Sequence, residues 1–535
     1  IPYLNNQQYL KKHFLLKKVL FSATVILLLA AAGKIGCWDK PRATSRAYYL
    51  SASGKDDQDG SFQSPWKTIA KINSVHLKAG DSVLFEGGSS FPGNMQIDST
   101  GRGTPLNPIL ISSYGNGHAK INGGNASAVV FYLNSHVRIK NLDLVGSGRK
   151  GGNGKDGLSL INCDYITADS MDISGFQKSG LLIYSSKNVK VSNLFTHDNG
   201  SAGITVEGNN GKKESANIQI RYCRAENNPG DPTNLNNHSG NGIVAGHCTN
   251  LLIEYCTATN NGWDMPRIGN GPVGIWCYES DSVIIQHCLS YRNKTSVGAA
   301  DGGGFDLDGG VTNSIVQYNL SYENQGSGYC IFQYWGASPW YNNIFRYNIS
   351  ENDGAVSDSR AGIYVWNSSG DADQFYNCLV YNNTVYNTKE AAVSFSEKSA
   401  RKQFGFYNNI FVGKDSLIKG DKGTDVFQGN DWWSLASGFN ADRMHKFSGW
   451  AKKYNKEMAS GKINGFNIDP HFKNPGKTDI GSFPGSAAAF DQYRIPGNSI
   501  LRSHGLDLHQ LLGIDTGNTD FNGNSAPVKG IGASF

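Results

Sequence analysis

One short unit recurs about every thirty residues along the middle of this chain, and nothing else constrains its fold as strongly, because internal repeats of this size dictate stacked architectures. Apolar residues alternate with others and then give way to a small polar residue: VRIKNLDL around Asn141, followed by copies at Ser170, Asn193, Cys223 (IQIRYCRA), Cys256 (LLIEYCTA), Cys288 (VIIQHCLS), Asn319, Asn348, Asn383 and Asn409. Separations run from 23 to 35 residues. That suffices for one coil of three short strands and their turns, but not for a βα pair with a core of its own. Heptads and four-stranded blades are both missing. The expected fold is all-β, a single-stranded right-handed parallel β-helix of about ten coils with N- and C-terminal caps.

A second strand repeats in step. Gly-φ-x-φ-x begins at Gly157, Gly180, Gly203, Gly242 (GIVAG), Gly274 (GIWCY), Gly304 (GFDLD), Gly328 (GYCIF) and Gly362 (GIYVW), with Ala392 in the glycine position of the next copy. Because side chains alternate across a strand, Ile275, Phe305 and Ile363 point inward and the third and fifth members of each unit face out. Composition agrees: 65 Gly and 25 each of Tyr and Phe against 5 Met suit tight turns and short strands. Cys223, Cys256 and Cys288 fall at equivalent points of consecutive coils, which favours buried free thiols over disulfides. Asn at the same point can pass side-chain hydrogen bonds along the stack.

Four spans follow: a leader at 1–37, an N-terminal cap with the first strands at 38–125, the β-helix at 126–425, and an irregular C-terminal cap at 426–535. In the leader, the basic run Lys11–Lys18 precedes the apolar Val19–Gly33, a segment short for a membrane span but suited to an export signal. Ile35-Gly36-Cys37 resembles the end of a bacterial lipobox, although Lys34 departs from that pattern. Lipidation at Cys37 is expected, with simple cleavage or a retained anchor as the alternatives, giving a cell-envelope lipoprotein, periplasmic or secreted, with membrane attachment through that lipid. The net charge of +5 equals the five lysines before Cys37, so the body is neutral and no nucleic-acid footprint is expected. Nothing in the sequence calls for an oligomer, and a monomer is expected.

The outward columns of the second strand carry the chemistry. The third positions include Trp276, Asp306 and Tyr364, and the fifth include Glu207, Tyr278, Asp308 and Trp366. Sugar rings pack C–H faces on aromatics and need polar partners for their hydroxyls, so carboxylates walled by Trp and Tyr suit a glycan subsite. The run Asp301-Gly-Gly-Gly-Phe-Asp306-Leu-Asp308-Gly-Gly holds three carboxylates in eight residues. Like charges this close raise one pKa, letting a protonated acid sit beside an ionised partner, as glycoside cleavage requires. Glu279, His247 and Gln333 occupy the sixth positions of their units, within reach of the same face. The plainer readings are a Gly/Asp-rich turn, a Ca²⁺ site on hard oxygens, or aromatic columns that only help strand pairing. No cofactor is expected, with Ca²⁺ as the alternative.

Two resemblances sharpen this. The stretch YYLSASGKDDQDGSFQSPWKTIAKIN and the closing GLDL…GIDTGNTDFNGNSAPVKGIGA resemble the entry and closure of bacterial β-helix polysaccharide lyases and hydrolases of the pectate-lyase-like superfamily. The D-x₆-D spacing of Asp301 and Asp308 resembles the catalytic pair of the β-helix lacto-N-biosidase family of glycoside hydrolases. That likeness implies Asp301 as acid/base and Asp308 as nucleophile, with Asp306 assisting. A Ca²⁺-assisted lyase would add a Lys or Arg base, for which Arg346 and Arg360 are the candidates, since no Lys lies between Gly309 and Thr388. A non-catalytic surface protein that binds glycans is the third reading.

Overall fold

The computed structural model describes residues 45–354, 361–396, 399–414, 416–420, 425–481 and 490–535. Cys37 and Arg360 lie outside them. Strands of successive coils pair in parallel and in register, and one face alone stacks twelve strands, from Met95–Ile97 to Ile418–Lys419. The parallel β-helix thus has more coils than the repeat suggested. It also extends past the 126–425 span on both sides, because Ala47–Leu50 already pairs with Ser82–Glu86, and Ile410–Gly413 with Asp431–Ser434.

Register on the second strand follows the expected alternation. Ile275 and Phe305 are fully buried in the core, while Val244, Trp276, Asp306, Cys330 and Tyr364 pair from coil to coil in one outward column. On the first strand the register differs from the repeat as read. Ser192 pairs with Arg221 and Phe195 with Arg224, which sets Asn193 opposite Tyr222 and Leu194 opposite Cys223. Two columns were therefore merged in the sequence pattern. Asn141, Ser170 and Asn193 sit at a bend with φ of 53°, 53° and 54°, where Asn is tolerated in the left-handed region.

Further along, that bend is taken by Tyr222, Tyr255, His287, Tyr318 and Tyr347, whose rings stack at centroid spacings of 5.1, 5.0, 5.0 and 5.5 Å. The next column points inward and carries buried Cys223, Cys256 and Cys288, all free thiols. Asn319, Asn348, Asn383 and Asn409 continue it, each Nδ2 donating to the next Oδ1 at 3.1, 3.0 and 2.9 Å, with Asn430 closing the series at 2.8 Å. A second buried amide series has no counterpart in the repeat as read: Asn199, Asn228, Asn261, Asn293, Asn324 and Asp353 link in the same way. Both satisfy backbone groups at corners that cannot pair across the sheet.

The caps differ in kind. At the entry, Asp56 accepts from the Lys67 and Thr68 amides, and Thr68 caps the short helix Ile69–Asn73, which buries Ile69 and Ile72. The far end is closed by Trp432, Phe439 and Trp450, the last on the helix Phe447–Tyr454. The described residues beyond 466 are not an end cap. They lie along the side of the later coils, where Ile495, Leu501, Leu508 and Phe535 cover Tyr318, Tyr347 and Tyr381. Buried Glu351 fastens this cover by accepting from the Thr478 amide and hydroxyl and from the Tyr493 hydroxyl.

Candidate active site

The twelve-stranded face would be an open sheet if its turns were short, but the loops around 227–240, 260–272 and 292–302 are long. They fold against one another: the Asn270 amide reaches Asn237 at 3.0 Å, and the Ala300 amide donates to the Gly269 carbonyl. Together they wall a cleft of about 710 Å³ whose floor is the outward column. Trp276, Tyr278, Asp301, Asp306, Asp308, Tyr364 and Trp366 all line it. Trp276 and Asp306 were expected on an exposed surface; at 4 % and 2 % exposure they are the cleft floor instead.

The three aspartates arrive by different routes. Asp306 stands on the strand Gly303–Leu307, and Asp308 follows just beyond its end. Asp301 adopts φ 61° in the turn before it, and its Oδ2 accepts the Gly271 amide at 2.8 Å. Glycine is needed beside them. At Gly309 a Cβ would come within 2.5 Å of the Tyr334 ring, which lines the cleft with the acids. Asp308 Oδ1 accepts the Gly309 amide at 2.7 Å, whereas Asp306 Oδ1 is buried with no hydrogen-bond partner among the described residues.

Burial governs their protonation. Asp301 and Asp308 keep part of their surface toward the cleft, yet the enclosing loops remove enough water to push them up to about 6 and about 7. For Asp308, the Gly309 amide opposes the rise and the charges of Asp301 and Glu279 add to it. Asp306 rises well above the carboxylate range, from burial first and then from Asp308 and Asp301. The cluster therefore holds ionised and protonated carboxyls together near neutral pH and titrates as one coupled group. Tyr334 and Tyr278 are raised by burial and by nearby carboxylates, so both phenols keep their protons as donors.

Several cleft residues escaped the sequence reading. Phe332 stood in the fifth-position column without being singled out; it meets Tyr364 and Trp366 edge-on at 5.6 and 5.7 Å. Asn237, His238, Asn270 and Tyr334 come from aperiodic loops that gave no signal. His238 is the most informative. Asn241 Oδ1 accepts from the Trp276 indole at 3.0 Å and from the Val273 amide, so its Nδ2 faces His238 Nδ1 at 3.0 Å. That nitrogen must accept, which leaves the hydrogen on Nε2. Burial, with Arg267 nearby, lowers His238 to about 4, so it is a neutral donor at neutral pH.

Other expected residues sit elsewhere. Gln333 is fully buried, accepting from the Gly310 amide and donating to the Ser338 carbonyl, so it braces a turn rather than facing the cleft. Glu279 accepts the Ser338 amide at 2.7 Å and packs over Gly310, contributing only its field. Glu207 binds His247 Nδ1 at 2.7 Å and the Tyr278 hydroxyl, at a smaller adjoining cleft that shares His238 and Tyr278. Arg346 is pinned on another face by Gln317, Tyr381 and the Asp515 carbonyl, so it cannot serve as a base here. Among the described residues the cleft lining contains no Lys or Arg. Three aspartates are the hard-oxygen donors Ca²⁺ takes. Yet among the described residues no three acidic, His or Cys side chains are grouped as a metal site requires.

Residues 48–356 match the family model described as the Pel9A-like, right handed beta helix region. The lacto-N-biosidase of Bifidobacterium longum subsp. longum is 24% identical over 500 residues, a match covering 70% of this chain and 29% of that protein. The chain therefore spans less than a third of the curated relative's length. Among solved structures, the GH136 lacto-N-biosidase from Eubacterium ramulus is similar with a TM-score of 0.47 and 17% identity, covering 67% of each chain. The pectate lyase Pel9A is similar with a TM-score of 0.44 and 15% identity, covering 91% of this chain and 97% of that one.

Proposed function

The chain belongs to the Pel9A-like right-handed β-helix family, and from that footing we propose that it is an enzyme acting on a glycan, specifically a glycoside hydrolase of a polysaccharide or oligosaccharide. The observation that carries this reading is the aspartate trio, one buried and two facing the cleft, in an aromatic lining. Glycoside cleavage needs one carboxyl to protonate the departing oxygen and one carboxylate to meet the oxocarbenium-like centre. In this proposal Asp301 is the acid and Asp308 the nucleophile or base, roles taken from the D-x₆-D resemblance, while Asp306, neutral, orients substrate. The order of about 6 for Asp301 and about 7 for Asp308 in the free cleft runs the other way, so substrate must reverse it. Tyr278, Tyr364 and Trp366 supply ring faces, Trp276 closes the floor beneath them, and His238 donates from Nε2 to a sugar oxygen. The curated relative, named as a lacto-N-biosidase, supports the class of reaction without fixing the sugar.

Export is part of the same proposal. The leader, with its apolar run and Cys37 as lipid acceptor, would place the enzyme in the bacterial cell envelope, as a monomer meeting its glycan outside the cytoplasm. Incubation of the mature protein with neutral and uronate glycans, with and without a chelator, tests the chemistry. New reducing ends without ultraviolet-absorbing unsaturated ends, unaffected by the chelator, are expected. Chelator-sensitive unsaturated products would replace the hydrolase with a lyase, and binding without products would make the chain a glycan-binding protein.

A further inference from the structure

A second groove lies on the first-strand surface near the N-terminal end, on strands other than those that carry the cleft. Two adjoining depressions of about 600 and 520 Å³ share Pro108, Arg138 and Thr167. Register explains their charge. Arg138 pairs with Thr167, and Thr167 with Lys190, so two cations occupy one outward column two steps apart, or about 10 Å. Lys140 stands in the neighbouring column beside Asp169, whose carboxylate is occupied by Ser192 and Asn193.

Arg138 and Lys190 are exposed and form no ion pair among the described residues, and further along the stack the pattern changes. There the Arg138–Lys190 column becomes Gln219 and Leu252, and the neighbouring column pairs Arg221 with Glu254 at 2.8 Å. Within these two columns, uncompensated cations are thus confined to the coils that form the groove. At its edge, the His136 and Tyr165 rings stack at 4.8 Å and 7°, with Tyr165 53 % exposed. Both sit at left-handed corners, with φ of 54° and 53°. Aligned cations beside a flat aromatic face match a chain that carries regular negative charge and presents sugar C–H faces.

We propose that this groove is a second, non-catalytic binding site for an anionic polysaccharide, carboxylated or sulfated, which holds the polymer while the cleft acts. Arg138, Lys140 and Lys190 take the acid groups, and Tyr165 takes a ring. Electrophoresis of the full chain through gels containing polygalacturonate, its methyl-esterified form or dextran sulfate tests it, using Asp308→Asn protein so that no polymer is cut. Retardation by the charged polymers, absent with the ester and weakened by salt, is expected. Arg138→Gln/Lys190→Gln should weaken it about tenfold or more, while turnover of a short neutral glycan, measured with Asp308 intact, stays unchanged. No retardation by either polyanion, equal retardation by the ester, or full retardation of the double variant would overturn the proposal. Polygalacturonate alone or dextran sulfate alone retarding the protein would identify the acid group. Loss of turnover in Asp308→Asn leaves the groove untouched, so the two readings fail separately.

Discussion

Asp306 is the residue whose chemistry is most constrained by its surroundings. Its folded-state pKa lies well above the unfolded value near 4, so the folded protein binds that proton more tightly. Stability is therefore greatest at or below the unfolded value and declines as pH rises toward the folded one. Asparagine cannot ionise. Asp306→Asn should gain about 1–3 kcal/mol over the parent at pH 8 relative to pH 5, read from denaturant melts at the two pH values. An unchanged pH slope would mean the carboxyl is solvated. His238, lowered to about 4 by burial, adds a slope of the opposite sign below about pH 6.5, because the unfolded imidazole binds a proton there that the folded one does not; parent and variant share it, so it cancels in the comparison.

At the level of strands and turns, what the sequence revealed depended on periodicity. The outward column Trp276–Asp306–Tyr364 was legible because a glycine anchors each copy and alternation fixes every second side chain. The bend was misplaced by one residue because Asn suits two neighbouring roles, a left-handed corner at Asn141 and an inward amide at Asn319. His238 and Tyr334 could not be found, since their loops have no period and owe their position to contacts with other loops. The inward amides also make a prediction. Asn383 donates to Asn409 and the Phe345 carbonyl, and its Oδ1 accepts from Asn348. Asn383→Ala strands these buried partners and should cost about 2–4 kcal/mol in denaturant unfolding, while Asn377→Ala at the exposed corner should cost under about 1 kcal/mol.

Among the described residues, the coils form a stack whose two ends and one side are sealed by aperiodic chain. Those seals were the least legible part, because Trp432, Trp450 and the Glu351 clasp have no repeating partners to announce them. Sealing bears on the proposed function: the stack carries Asp306 and Asp308, and loops hydrogen-bonded to one another enclose them with Asp301, the kind of preorganised charge that lowers a glycosidic barrier. The account stands or falls on whether this cleft performs the cleavage. Release of reducing ends by Asp308→Asn, compared with the parent on a glycan the parent cuts, measures this directly. On the proposed assignment the charge lost is the one that meets the transition state, so the rate should fall by about a thousandfold or more with glycan binding retained. Parental rates from a well-folded Asp308→Asn protein would contradict it.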